Sequence, residues 1–319
     1  MAVMVGIDEA GYGPILGPLT VSAVTFKIPD NLLKTDHWQV LKKSISKRSQ
    51  KSAGRLVIAD SKKVYKRKSG LGHLQRSVLA ALKCLKKTPK TVAELANILS
   101  PDCTDRLKNY PWYQDLNLIN LENSDVDTAV AAQAFETNLT QNEMSLLDMR
   151  SVCFDVGHYN RMVDAMDNKA AVVQTAITQL IAGNFKRHKD DIVQIVVDRQ
   201  GGRVNYVPWL RQIFPDFELR ILRQDEKDSS YELAITGRKM RIHFVVDADE
   251  HFLPVSLASL ASKYLRELLM HSINRHFIAH CPGLKPTAGY WKDGLRFIED
   301  LKTHRNCPAY DPAQFIRTR

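Results

Sequence analysis

The chain has 319 residues, 44% of them hydrophobic, enough for one large domain or two modest ones with real cores. A formal net charge of +10 favours a polyanionic partner. The cysteine count, five with no CxxC pair, predicts reduced thiols in a cytoplasmic protein and argues against a disulfide framework or a zinc site. Asp8 and Glu9 interrupt the N-terminal apolar run, no basic region precedes it, and no apolar stretch approaches roughly 20 residues, so neither a signal peptide nor a membrane span is expected.

Met1–Ile7 and Leu19–Phe26 are apolar runs that predict two strands joined as a hairpin. Between them lies Gly6-Ile7-Asp8-Glu9-Ala10-Gly11-Tyr12-Gly13-Pro14. Adjacent acids at a strand end, beside backbone stripped of side chains, point to a cation site next to a place where a ligand's backbone comes close. Residues 42–90 form a basic block, with Lys42, Lys43, Lys47, Arg48, Lys51, Arg55, Lys62, Lys63, Lys66, Arg67, Lys68, Arg76, Lys83, Lys86, Lys87 and Lys90. Within it Leu74, Val78, Leu79, Leu82 and Leu85 have helical spacing. Its basic side chains read equally as a solvated face or as a phosphate-tracking surface.

Residues 101–147, rich in Asn, Asp and Gln, read as an inserted subdomain or extended arm. Ser151–Val156 predicts a strand, and Val163–Ile181 a helix stopped at Gly183. Ile192–Val197 is a β-branched run closed by Asp198. Phe217–Leu222 and Met240–Val246 follow as strands, the latter ending in Asp247-Ala248-Asp249. A long helix is predicted from Pro254 to Ile278, and a short one over Leu295–Leu301. The order predicts an α/β domain on one mixed sheet flanked by helices.

Carboxylates recur at strand ends: Asp8 and Glu9, Asp198, then Asp247 and Asp249. Such acids repel one another and lose hydration unless cations hold them. Oxygen-only donors suit Mg²⁺ or Mn²⁺. Two such ions about 3.5–4 Å apart clamp the attacking and leaving oxygens of a phosphodiester displacement. The alternative for each acid alone is a helix cap, most plainly for Asp249 just ahead of a helix. Other chemistries are disfavoured. The glycines of residues 11–17 have the wrong spacing for a dinucleotide fingerprint, Gly70-Leu71-Gly72 lacks the Lys-Ser/Thr of a P-loop, and the ten histidines are scattered.

Gly6-Ile7-Asp8-Glu9-Ala10-Gly11-x-Gly13-Pro14 with Gly17-Pro18 resembles the opening motif of the type 2 ribonuclease H family, ribonuclease HII. Asp60-Ser61-Lys62-Lys63 resembles its Asp-Ser-Lys segment. Ala248-Asp249 with Val255-Ser256-x-Ala258-Ser259 and Lys263 resembles its Ala-Asp…Val-Ser-Ala-Ala-Ser…Lys segment, the family proline falling one place late at Pro254. Gly283-Leu284-Lys285-Pro286-Thr287-Ala288-Gly289-Tyr290 resembles the segment carrying its substrate tyrosine.

The resemblance implies a ribonuclease H-like fold, with a catalytic domain over residues 1–279 and a C-terminal helical, substrate-binding extension over 280–319. It implies Asp8, Glu9, Asp198 and Asp249 as catalytic, metal-holding carboxylates, with Asp247 as a fallback for Asp249. It implies substrate contacts from Gly11, Tyr12, Gly13, Ser61, Lys62, Lys63, Tyr290 and Lys292, and a weaker phosphate contact from Arg203. The activity implied is Mg²⁺- or Mn²⁺-dependent cleavage of RNA–DNA hybrids, or of ribonucleotides embedded in duplex DNA, by a monomer that uses no membrane. The alternatives are a nucleic-acid-binding relative with weakened activity and a DNA-junction nuclease on the same fold.

Two departures stand out: Gly11-Tyr12-Gly13 replaces the family's Gly-Arg-Gly, and residues 101–147 are extra. The family's basic C-terminal tail survives only as Arg317 and Arg319.

Overall fold

A computed structural model describes residues 1–48, 54–65, 70–121, 125–199, 201–304 and 307–318. Lys51, Lys66, Arg67, Lys68 and Arg319 lie outside the described residues. Among the described residues nine strands follow in chain order: β1 (Ala2–Ala10), β2 (Leu19–Ile28), β3 (Ile45–Ser46), β4 (Leu56–Val57), β5 (Ser145–Phe154), β6 (Ile192–Asp198), β7 (Glu218–Gln224), β8 (Asp228–Ile235) and β9 (Arg238–Val245). Seven of them form one sheet in the order β5-β2-β1-β6-β9-β8-β7, and β3 pairs with β4 apart from it. The strands β1, β6 and β9 run parallel, while β1–β2, β2–β5, β9–β8 and β8–β7 are antiparallel, so the sheet is mixed, as expected.

Strand alternation sorts the central residues between two faces. Val3, Val5 and Ile7 of β1, Leu19, Val21 and Ala23 of β2, and Val193, Ile195 and Val197 of β6 share one apolar cluster. Helices Val156–Met166 and Lys169–Arg187 contribute Tyr159, Val173 and Ile177 to it. Met4, Val24, Phe26 and Ile28 face the other way, into a cluster with the long helix Leu253–His280 and the helices Gly72–Cys84 and Val92–Leu99.

The long helix lies unusually close to β1. A Cβ on Gly6 would stand 2.1 Å from the Val255 backbone nitrogen, so only glycine admits this approach. Small hydroxyls line the contact: Ser262 Oγ donates to the Asp8 carbonyl (2.9 Å) and bonds Ser22 Oγ (2.8 Å).

Several expectations need correction. The first strand continues through Asp8 and Glu9 to Ala10 instead of stopping before them. Of the two readings of the stretch 101–147, an inserted subdomain or an extended arm, the extended arm does not hold for its described residues. Its Cys103, Leu107, Trp112, Phe135 and Leu139 sit in the main core, Trp112 packs 5.8 Å from Phe277 of the long helix, and residues 145–147 begin β5. The helix expected over Val163–Ile181 is two helices. Asp167 adopts left-handed backbone (φ 46°), and the Asn168 side chain caps the second by accepting from Ala170 N. Both are roles that Asp and Asn fill readily. Gly183 stops nothing, since that helix runs on to Arg187.

The strand β8 went unpredicted because its serines break the apolar pattern, although Tyr231 and Leu233 are buried. Two of the thiols expected to be reduced, Cys281 and Cys307, are joined as a disulfide, while Cys84, Cys103 and Cys153 are free. Within the basic block, Arg76 pairs with Asp127 (2.6 Å), Lys86 with Glu136 (3.0 Å) and Lys63 with Glu250 (2.5 Å). Part of that charge is therefore spent inside the molecule. Among the described residues no helix is long and apolar enough to cross a membrane.

Candidate active site

The parallel pairing of β1 with β6 ends at Ile7↔Val197, and the next residue on each strand is an acid, Asp8 and Asp198. Both fall on the face shared by Gly6 and Val196, under the long helix. The neighbouring pair β6–β9 ends at Asp198↔Val245. The chain then turns through Asp247 (φ 51°) into the short helix Ala248–His251. That turn is tied back to the sheet, because Ala248 N donates to Asp198 Oδ1 at 2.7 Å. Ser256 Oγ of the long helix donates to the Asp249 carbonyl. Asp8, Glu9, Asp198 and Asp249 thus line one cavity of about 280 Å³, together with Gly11, Tyr12, Gly13, Ser61, Lys62 and Tyr290.

Burial governs the electrostatics. Asp8 is 6% exposed and Asp249 9%. Desolvation, with Glu9 and Asp249 adding repulsion, holds the Asp8 carboxyl well above its ordinary range. Asp198 is pushed up to about 7 by burial and by Asp8. Asp249 is pushed up to about 7 by burial, Asp198 and Asp60. Lys62 is the counter-charge. Burial pulls its ammonium down, but Asp60, Asp249, Asp8 and Asp198 together hold it above its usual value. The cluster is a site where negative charge is in excess and hydration is short.

The opening loop is shaped from below. Gly11 has φ 95°, and a Cβ there would meet Arg266 Nε at 2.6 Å. Arg266 is fully buried on the long helix and donates to the carbonyls of Leu16 (3.2 Å) and Ala288 (3.1 Å). Arg317 donates to the carbonyls of Gly17 (2.7 Å) and Gly11. Ile15 N reaches Gly289 O at 2.8 Å, which fixes Tyr290 beside the loop. Arg317, expected to echo a basic tail, is instead a buried loop anchor (4% exposed). Burial pulls its guanidinium down to about 9, so it remains charged at neutral pH.

Three predicted contacts lie elsewhere. Lys63 turns to Glu250, Lys292 is an exposed residue of helix Trp291–Thr303 that does not line the cavity, and Arg203 lines a neighbouring one. Asp60, Asp247, Glu250, Ser259 and Lys263 also line the cavity. Of these, only Asp247 had an assigned role; Asp60, Glu250, Ser259 and Lys263 had none. Ser259 Oγ bonds Ser61 Oγ at 3.0 Å. The serine spacing 256, 259, 262 along one helix face carried that signal. The buried roles of Arg266 and Arg317 had no sequence signal, since arginine is ordinarily exposed.

The donor set fits a hard divalent cation: clustered, desolvated carboxylates, with the ammonium groups of Lys62 and Lys263 also lining the cavity. Among the described residues, however, no three His, Cys, Asp or Glu side chains stand as a ready-made metal cage. A cation would therefore draw the carboxylates inward on binding.

No protein-family model matches the chain, and no curated protein matches its sequence. Solved structures similar to it include RNase HII in its PCNA complex from Archaeoglobus fulgidus (15% identity, 99% of this chain and 94% of that one, TM-score 0.45). Others are Aquifex aeolicus RNase H3 (14%, 98% and 71%, TM-score 0.43) and Bst-RNase HIII in complex with Mn²⁺ (13%, 86% and 55%, TM-score 0.37). Likeness at this level carries no functional argument. The chain's own strand order and directions define the class: a mixed α/β protein whose seven-stranded sheet is flanked by helices, with a carboxylate cluster at the ends of its parallel strands.

Proposed function

We propose that this chain is an endoribonuclease. It hydrolyses the RNA strand of RNA–DNA hybrids, or ribonucleotides embedded in duplex DNA, and leaves a 3′-hydroxyl and a 5′-phosphate. One observation carries the reading: Asp8, Asp198 and Asp249, from elements far apart in sequence, surround one cavity together with the Gly11-Tyr12-Gly13 loop and Tyr290. Asp8, Glu9, Asp198 and Asp249 would hold two Mg²⁺ or Mn²⁺ ions, which stabilise charge on the attacking and leaving oxygens of an in-line displacement.

The chain's own residues do the rest. Lys62 binds a phosphate oxygen beside the scissile bond, with Ser61 next to it. The backbone of Gly11–Gly13 approaches the ribose 2′-hydroxyl, the group that separates RNA from DNA. Tyr290, 50% exposed, offers its ring to the sugar. Lys63 and Lys292 act on phosphates farther out, Lys63 after leaving Glu250. A water oxygen attacks phosphorus and gives up one proton to solvent, the P–O3′ bond breaks, and the departing 3′ oxygen takes up one proton from solvent, so that water is divided between the 5′-phosphate and the 3′-hydroxyl.

The absence of a ready-made cage among the described residues favours a second reading, a nucleic-acid-binding relative with weakened activity. Incubation with Mg²⁺ or Mn²⁺ and duplexes carrying one ribonucleotide, a ribonucleotide run or none separates the two. Cleavage confined to the ribonucleotide duplexes is expected, and Asp8→Asn should abolish it while leaving the circular dichroism spectrum unchanged. Binding without cleavage by the parent supports the weakened relative. Cleavage of branched all-DNA substrates alone points instead to a junction nuclease.

A further inference from the structure

A second cavity, of about 250 Å³, opens directly beside the first, and Tyr12 and Asp198 line both. Its far wall is aromatic. Tyr206 lies flat on Phe244 with centroids 3.7 Å apart and planes 4° apart, and Trp209 tilts against both at 6.1 and 5.6 Å. Gln174 lines the cavity from the helix Lys169–Arg187, and its amide makes no hydrogen bond to any described residue. Arg203 lines it too, 5.9 Å from the Tyr206 ring, with no ion pair among the described residues. On the partition, the Lys169 ammonium sits 4.8 Å from the Tyr12 ring.

We propose that this second cavity receives a nucleobase turned out of the duplex next to the scissile phosphate, with Tyr12 as the wedge. The volume lies below the about 300–1,000 Å³ of sites for larger ligands, so it suits one planar base. Extruded bases are held by stacking against aromatic side chains and by hydrogen bonds to their Watson–Crick edge. Trp209 and Tyr206 supply the first, and the Gln174 amide, donor and acceptor at once, supplies the second. Arg203 supplies a guanidinium for a phosphate of the same strand. The shared Asp198 fixes the distance, because a base entering behind it belongs to a nucleotide beside the reacting one. That position rests on the proposed endonuclease reading, while the cavity's chemistry does not.

The test uses full-length Asp8→Asn protein with Mg²⁺ and fluorescently labelled duplexes holding one ribonucleotide. The nucleotide on either side of it is in turn matched, mismatched or abasic, and affinity is read by anisotropy. A mismatch lowers the penalty of extrusion and should tighten binding about five- to tenfold over the matched duplex. Adding Trp209→Ala should weaken the mismatched duplex about tenfold and leave the abasic one unchanged. Gln174→Ala, at a half-buried helix position, should alter the ranking of bases at the mismatch without loss of fold. Equal affinity for all three duplexes, or an equal loss on all three with Trp209→Ala, would overturn the inference. Failure of the parent to cleave any ribonucleotide duplex would instead sink the endonuclease reading. Mismatch-dependent, Trp209-dependent binding would then still support the cavity.

Discussion

At the scale of single residues, Asp198 is the most informative. Its carboxyl titrates near 7 in the folded chain and near 4 when unfolded. The folded state therefore binds a proton more tightly, and the stability this gives is complete below about pH 4 and lost as pH rises through about 7. Asp198→Asn keeps an oxygen to accept from Ala248 N but carries no charge. In metal-free buffer at pH 8 the variant should melt several degrees above the parent, at roughly 2–4 °C per kcal/mol relieved, and the gap should close at pH 4. Mg²⁺ should raise the parent's melting temperature at pH 8 and barely move the variant's. Scanning calorimetry at the two pH values checks both signs. A parent more stable than the variant at pH 8 without metal would show that the cluster is not under strain. The identity of these acids was legible from their positions at strand ends. Their protonation was not, because desolvation is set by the helix that covers them.

Among elements, the contact between β1 and the long helix positions everything else. Gly6→Ala would drive a methyl group into the Val255 backbone at 2.1 Å, which no side-chain movement relieves. Overpacking of this kind costs about 1–3 kcal/mol, and a clash with backbone should reach the upper end. Urea unfolding should show a lower midpoint with unchanged slope, and the proposed cleavage should fall as Asp8 shifts relative to Asp249. An unchanged midpoint would mean that the helix has room to retreat. The Gly-rich opening was legible as a place of close approach, but it suggested a ligand's backbone above the loop. At Gly6 the approaching backbone is the protein's own. The loop itself was read as permissive, yet Arg266 and Arg317 hold its carbonyls from beneath, so its shape is imposed by segments about 250 and 300 residues away in sequence.

Over the whole molecule, the C-terminal segment closes the structure. Arg317 N reaches Ile15 O at 2.9 Å, Leu16 bridges Ile316, and Asn160 Nδ2 donates to the carbonyls of Ala313 and Ile316. The disulfide between Cys281 and Cys307 fastens the start of this segment to the end of the long helix across 26 residues. Cys281→Ser should lower stability by about 2–4 kcal/mol, read as a drop in melting temperature that reductant reproduces in the parent and not in the variant. Equal melting of parent and variant under oxidising conditions would mean that the bond does not constrain the chain. The odd cysteine count pointed away from any disulfide because counting cannot see that two of five thiols meet.

The amino-acid sequence by itself determined the apolar and β-branched runs, hence the central strands, and it placed an acid at or just beyond the end of each parallel one. Those features are local, since an apolar run and a strand-end position need only near neighbours. Only the tertiary structure decided that these ends are adjacent, that burial pushes their carboxyls up, and that two distant arginines shape the loop. It also packed described residues of the stretch 101–147, expected as an inserted subdomain or extended arm, into the main core. Each of those outcomes depends on which surfaces exclude water together, and that is fixed when the chain packs.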